Sequence, residues 1–402
     1  MAGALGSFGL GIVAFYLNFV YRALGFVDTQ IGVLAACQAL GVVMGAVPAT
    51  RFARSHPRRT SLFVGGTVTG LGLALVLRFD TVPVLALAAA LVGGGGILVA
   101  STGAALLADA SRGIGRVRLI GQQVALGTGA AFLASVAAGG LAAPVASFIG
   151  APEGDVRAVR ALVAIGAVLA GLSIIPVLFL RPVAIPPQTL ATTERRSLLQ
   201  RFVAVELAFG FGAGSFMPFI NLFFADRFGV PFAALGLILG ILAVAGSLGA
   251  LAHGRLVVPR LGALNGIVAT EVASLPLAIG AALLLGPAAL PFVVALLAAR
   301  GFLMYGSSAS LSAFVLSSFT PAERAGAIAT LSIGYYAAYA AAAAGSGWLR
   351  SVLGDPGWTA NLLLLCAGYG VAALLQLRLF GAHLPRGDAG GAALQAAADS
   401  IA

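Results

Sequence analysis

Stretches of about twenty apolar residues, the length needed to cross a bilayer, recur from one end of this 402-residue chain to the other. Between them lie only short polar breaks. Charged residues make up 9% of the chain, against about 25% in soluble domains, so a water-facing surface cannot be assembled from them. With lipid as the solvent, every backbone N–H and C=O must be paired within the chain, which leaves helices or a closed barrel. The runs do not alternate apolar with polar residues, as barrel strands would. An all-α polytopic membrane protein is therefore expected. Breaking the chain at charges, prolines and glycine turns predicts twelve spans, at approximately 5–26, 31–50, 60–78, 82–108, 118–144, 156–180, 202–225, 232–252, 262–286, 289–318, 324–349 and 358–380.

Charge placement predicts orientation. All 23 basic residues other than histidine are arginines. With the N-terminus inside, sixteen fall in cytoplasmic segments, among them Arg51, Arg54, Arg58, Arg59, Arg255 and Arg260. Six fall outside (Arg22, Arg78, Arg157, Arg160, Arg227 and Arg350), and Arg300 lies within a span. That excess is the positive-inside pattern, so both termini are expected in the cytoplasm and the chain in the cell inner membrane, as a multi-pass protein. The net charge of +10 resides in short loops, which argues against nucleic acid as a partner. The lipid bilayer and a small molecule are the expected partners, and a monomer the expected state. No cleavable leader is evident. Cys37 and Cys366 fall inside spans and read as small buried hydrophobes. His56, His253 and His383 are expected in cytoplasmic loops or the tail. No Cys, His and carboxylate cluster has metal spacing, so neither a cofactor nor enzyme chemistry is expected.

The chain divides in the middle. Residues 181–201, with Pro182, Pro186, Pro187 and Glu194, read as a cytoplasmic linker between a six-span bundle at 1–180 and another at 202–380. Residues 381–402 read as a disordered cytoplasmic tail. The halves repeat. Phe8–Gly11 match Phe209–Gly212, Gly32 matches Gly236, and Gly45, Ala46 and Arg51 match Gly249, Ala250 and Arg255. Asn18 and Asn221 fall at nearly equivalent places. A duplicated six-span unit is the pattern of parallel transporter repeats.

Six spans plus six, a polar linker and basic loops after spans two and eight resemble the major facilitator superfamily over about residues 5–380. That family's loop has the form G-x-x-x-D-R-x-G-R-R. Here Gly45, Arg51, Arg58 and Arg59 keep its glycine and basic cluster, with Ala49 or Thr50 in place of the acid. Gly249 and Arg255 begin the second copy, which also lacks it. The resemblance implies a gating loop there. It also implies a secondary transporter working by alternating access, with spans one, four, seven and ten around the cavity. Of an exporter-type glycine–proline motif in span five only Gly139 and Gly140 remain. They, like Gly345 and Gly347 in span eleven, read as close-packing residues. The run Gly93–Gly96 reads as a tight helix crossing.

Ionisable groups in lipid are costly and face a cavity or a partner. Glu206, Glu271 and Arg300 qualify. The two acids are candidate proton-coupling groups, and Arg300 suits an anionic or polar solute by its charge and fork of donors. Tyr16, Asn18, Tyr21, Arg22, Gln38, Gln122, Phe216, Asn221, Tyr335 and Tyr339 complete the candidate substrate contacts. The expected cargo is a small organic solute moved outward. A uniporter or uptake symporter for a polar or anionic metabolite, and a non-transporting sensor or lipid scramblase, stay open as alternatives.

Overall fold

The computed structural model describes residues 2–110, 114–179, 196–319 and 323–381. Twelve helices among them are long and apolar enough to cross a membrane. They are α1 (Ala2–Ala23), α2 (Asp28–Ser55), α3 (Arg58–Arg78), α4 (Val82–Ala110), α5 (Ile114–Ile149) and α6 (Val156–Leu172) in the first half. In the second half they are α7 (Arg196–Phe216), α8 (Phe232–Ala252), α9 (Ala263–Leu283), α10 (Leu290–Ser318), α11 (Arg324–Leu353) and α12 (Pro356–Phe380). Prolines open several of them, where a missing N–H costs nothing. Pro57 and Pro231 cap α3 and α8, and Pro356 is the first residue of α12.

Two helices run on past a break. A 3₁₀ turn at Met217–Phe219, containing Pro218, interrupts α7, which resumes as Ile220–Phe228 and stops at Gly229, φ 64°. Helix α8 passes into a π-helical turn at His253–Val257 and a last turn at Val258–Leu261. This corrects the expected placing of His253 in a loop. Because the helix continues, the imidazole is buried, its Nδ1 2.7 Å from Ser310 Oγ and its Nε2 3.2 Å from Thr270 Oγ1. Helix α7 also starts at Arg196, inside the stretch read as linker. The rest of that linker, from 181 to 195, and the tail from 382 lie outside the described residues.

Each half has the same neighbour map. In the first, α1 packs on α5 and α6, α4 on α2 and α3, and α3 on α6; in the second, α7 packs on α11 and α12, α10 on α8 and α9, and α9 on α12. The fold is thus two six-helix bundles. Glycine sets the closest crossings, because without hydrophobic drive between helices in lipid, close backbone approach supplies the attraction. The Gly93–Gly96 run lies between α2 and α3. A Cβ built on Gly45 would stand 3.0 Å from Gly94 Cα, and one on Gly95 2.6 Å from Gly65 O. Gly249 meets the Phe302 carbonyl in the matching place. Both glycines of the expected gating loops are therefore packing residues within helices.

Candidate functional site

The bundles meet through two crossings that exchange under the repeat: α2 with α11 and α5 with α8. At the first, a Cβ on Gly32 would stand 2.9 Å from Gly347 Cα; at the second, a Cβ on Gly236 would stand 2.9 Å from Gly139 Cα. Both crossings lie toward the end that carries the α1–α2 turn. Further along, Gly41 and Gly45 of α2 pack on α4, and Gly246 and Gly249 of α8 on α10.

Polar groups seal the same end. Asn18 Nδ2 donates to Asn221 Oδ1 at 2.9 Å and to Pro218 O at 2.6 Å. Asn221 Nδ2 donates back to Phe15 O at 2.9 Å. Each amide thus satisfies a carbonyl in the other half, as a buried amide must to avoid the cost of desolvation. One turn further out, Arg22 pairs with Asp28 at 2.9 Å and with Asp226 at 2.5 Å. Arg350, 1% exposed, lies 3.5 Å from Asp28 with its guanidinium over the rings of Phe219 (4.2 Å) and Trp358 (4.3 Å). Thr29 and Ser351 share a 2.7 Å hydrogen bond beside it.

A second polar set sits deep in the C-terminal bundle, on α7, α9, α10, α11 and α12. Glu271 on α9 accepts from Gln376 Nε2 on α12 at 3.2 Å, while its other oxygen is sealed without a partner. Arg300 on α10 lies with its guanidinium 5.0 Å from the Tyr369 ring centroid, its Nε and Nη2 also sealed. No ion pair joins Glu271 to Arg300 among the described residues. Glu206 is half-buried on the face of α7 that lies between its α11 and α12 contacts, opposite the exposed Leu207 and Phe211. One turn along α7 from Glu206, a Cβ built on Gly210 would stand 2.0 Å from Tyr335 O. Tyr335, Tyr336 and Tyr339 form a cluster with centroids 5.1 to 6.1 Å apart.

The structure therefore sorts the expected residues. Asn18, Arg22 and Asn221 meet at the seal, and Glu206, Glu271, Arg300, Tyr335 and Tyr339 lie within the C-terminal bundle. Tyr16 does neither: its hydroxyl donates to Ala138 O at 2.6 Å and its ring is fully buried. Phe216 packs edge-on against Phe223 in the core, and Tyr21 stacks on Phe26. Gln38 is half-buried on α2, its backbone under Gly93. The Gln122 side chain lies outside the described residues. Arg51, Arg59 and Arg255 are exposed, whereas Arg58 is buried and donates to Ala53 O at 2.8 Å. Three residues went unpicked in the sequence. Arg350 and Asp226 sit near helix ends and counted only as topology markers or not at all, and Tyr369 carried no local signal.

Twelve membrane-length helices stand in two matched bundles that meet at the crossings just described. The model of the Major Facilitator Superfamily matches residues 1–318, and the chain belongs to that superfamily, a family of transporters rather than enzymes. Among solved structures, an inward-facing bacterial homologue of the iron transporter ferroportin is similar with TM-score 0.72 and 14% identity, covering 94% of this chain and 96% of that one. The nucleoside transporter NupG is similar with TM-score 0.68 and 17% identity over 94% and 97% of the two chains. A bacterial homologue of the lysosomal transporter Spinster, inward-facing and occupied, gives 0.68 and 14% over 93% and 95%. At such identities the likeness is one of fold. No curated protein sequence matches the chain.

Proposed function

We propose that this protein is a secondary active transporter that moves a small organic solute outward by alternating access. The observation that carries the reading is the pair of repeat-related inter-bundle crossings. Those at Gly32–Gly347 and Gly139–Gly236 lie toward the end bearing the Asn18–Asn221 bond. Two rigid bundles joined that way can rock about a site near the midplane. By the arginine distribution the sealed end faces out, with both termini on the cytoplasmic side of the inner membrane. A monomer suffices, since each chain holds both bundles. The helices of both bundles are mostly apolar, which suits export of a hydrophobic or amphiphilic solute. Glu206 and Glu271 are the intramembrane carboxylates placed to couple a proton.

The relatives named above carry unlike cargoes, so none lends its substrate. Uptake of an anionic metabolite ranks second, because it needs Arg300 to reach the solute and two of its nitrogens are sealed. The test is reconstitution in liposomes, following candidate solutes with and without a pH gradient. Solute accumulation driven by the gradient and lost in Glu206→Gln or Glu271→Gln supports the coupled reading. Lipid flipping with no solute movement under any gradient sinks transport altogether and leaves a scramblase.

A further inference from the structure

Behind the seal, three deeply buried polar side chains lack hydrogen bonds. Arg350 and Ser346 are each 1% exposed and Asn361 is 0% exposed. Arg350 Nε, Nη1 and Nη2, Ser346 Oγ, and Asn361 Nδ2 and Oδ1 are sealed from solvent with no hydrogen-bond partner among the described residues. Arg350 keeps its ion pair with Asp28 at 3.5 Å and its two ring contacts. Buried polar atoms are nearly always paired, either to protein or to ordered water. Six orphans in one place therefore mark a site.

Spacing and packing bring the three together. Residues seven or eleven apart share one face of a helix. On α11, Ser346 follows Tyr339 by seven residues and Arg350 follows it by eleven, and the Tyr339 backbone lies against Gly214 of α7. On α12, Asn361 stands one turn after Gly357 and one turn before Leu365. Gly357 packs against Arg350, and a Cβ on Gly212 of α7 would stand 3.0 Å from Leu365 O. Both helices thus present these residues toward α7. The level is that of the α7 break, because Phe219 of the 3₁₀ turn has its ring centroid 4.2 Å from the Arg350 guanidinium.

We propose that this three-helix junction holds a buried cluster of water, roughly two to four molecules, each bridging polar groups of Arg350, Ser346 and Asn361. Water fits the site better than an ion does. Arg22, Arg350, Asp28 and Asp226 already balance in charge at this end, so no net charge calls for an anion, and a guanidinium repels a cation. Arg350 and the Asn361 amide need acceptors, whereas Asn361 Oδ1 needs a donor. Water supplies both. The cluster hydrates the edge of a guanidinium that is stacked on rings, and so holds a full charge inside the bundle at little cost. None of this depends on which solute is transported.

X-ray radiolysis of the protein in nanodiscs tests the site, because hydroxyl radicals formed from bound water oxidise neighbouring side chains that bulk solvent does not reach. Phe219 and Phe202 are a matched pair, 0% and 1% exposed. Phe219 borders the junction, while Phe202 packs among Phe314, Phe319 and Phe380. Mass spectrometry should show Phe219 oxidised at least tenfold faster than Phe202. Asn361→Leu combined with Ser346→Ala should cut the Phe219 rate at least severalfold and leave that of Phe202 in place. Replacing chloride by gluconate should change neither rate. Phe219 labelled no faster than Phe202 overturns the proposal, and that comparison uses the parent protein alone, so it stands even where the double variant does not fold. An undiminished Phe219 rate in a folded double variant overturns the assignment to these side chains. A Phe219 rate that follows chloride makes the occupant an anion and overturns the water reading.

Discussion

Asn18 and Asn221 stand 203 residues apart in the chain and hydrogen-bond to each other at 2.9 Å. They fall at nearly equivalent places in the two repeats, and each gives its amide to a backbone carbonyl of the opposite half. The bond therefore lies close to the axis that relates the bundles, where equivalent residues meet. A small number of such pairs closes one end of the protein.

Removing one amide should loosen that end. Asn221→Ala leaves the Asn18 amide and the Phe15 carbonyl each short of a partner, and a buried unsatisfied group costs about 1–3 kcal/mol. In a background lacking Cys37 and Cys366, a reporter cysteine at Ala36, buried in the α2–α11 crossing, should react with a polar maleimide roughly 5- to 100-fold faster from the sealed side. An unchanged labelling rate would mean the asparagine pair does not hold the seal.

The ionic pair outside it is weaker. Arg22 and Asp226 are 37% and 35% exposed as side chains, and exposed ion pairs contribute roughly 0.2–1 kcal/mol because solvent screens them. A double-mutant cycle with Arg22→Ala and Asp226→Ala, read by thermal unfolding, should give a coupling in that range that shrinks as salt is raised. A coupling of several kcal/mol, insensitive to salt, would show that the pair is the main lock.

Arg350 should resist conservative exchange. Its guanidinium lies flat over two rings while facing Asp28, and a lysine ammonium cannot reproduce a planar stack. Arg350→Lys and Arg350→Met should both lower the melting temperature, the lysine giving little rescue. A lysine variant as stable as the parent would assign Arg350 to simple charge balance.

Side chains at the crossing glycines should wedge the bundles apart. Gly32→Val and Gly236→Val each place branched carbon where the facing Cα would be about 3 Å away, closer than real Cβ contacts allow. The expected outcome is an intact fold with the reporter at Ala36 permanently reactive from the sealed side and transport lost. Normal labelling with normal flux would show that the crossings have slack.

Much of the frame was readable from the residues alone. Span length and the scarcity of charge gave the twelve helices, and matched glycines such as Gly32 with Gly236 marked the positions that later proved to be crossings. Side-chain direction was hidden, because nearly every face of these helices is apolar and no periodic polar stripe points the way. Tyr16 and Phe216 thus read as cavity residues and are core. Glu206 read as a candidate proton-coupling group, and its facing became clear only when Gly210 and Gly214 were seen against α11. The roles of Arg350 and Asp226 depend on partners hundreds of residues away. His253 was misplaced because a π-helical turn carries α8 beyond its apolar run.

The Arg22–Asp226 bond has a consequence for how the halves relate. The two positions, 204 residues apart, correspond in the duplicated unit, yet one is basic and the other acidic. Two copies of the first half joined together would set arginine against arginine here, and two copies of the second would set aspartate against aspartate. Neither half can therefore stand in for its mate: only an unlike couple can shut this door.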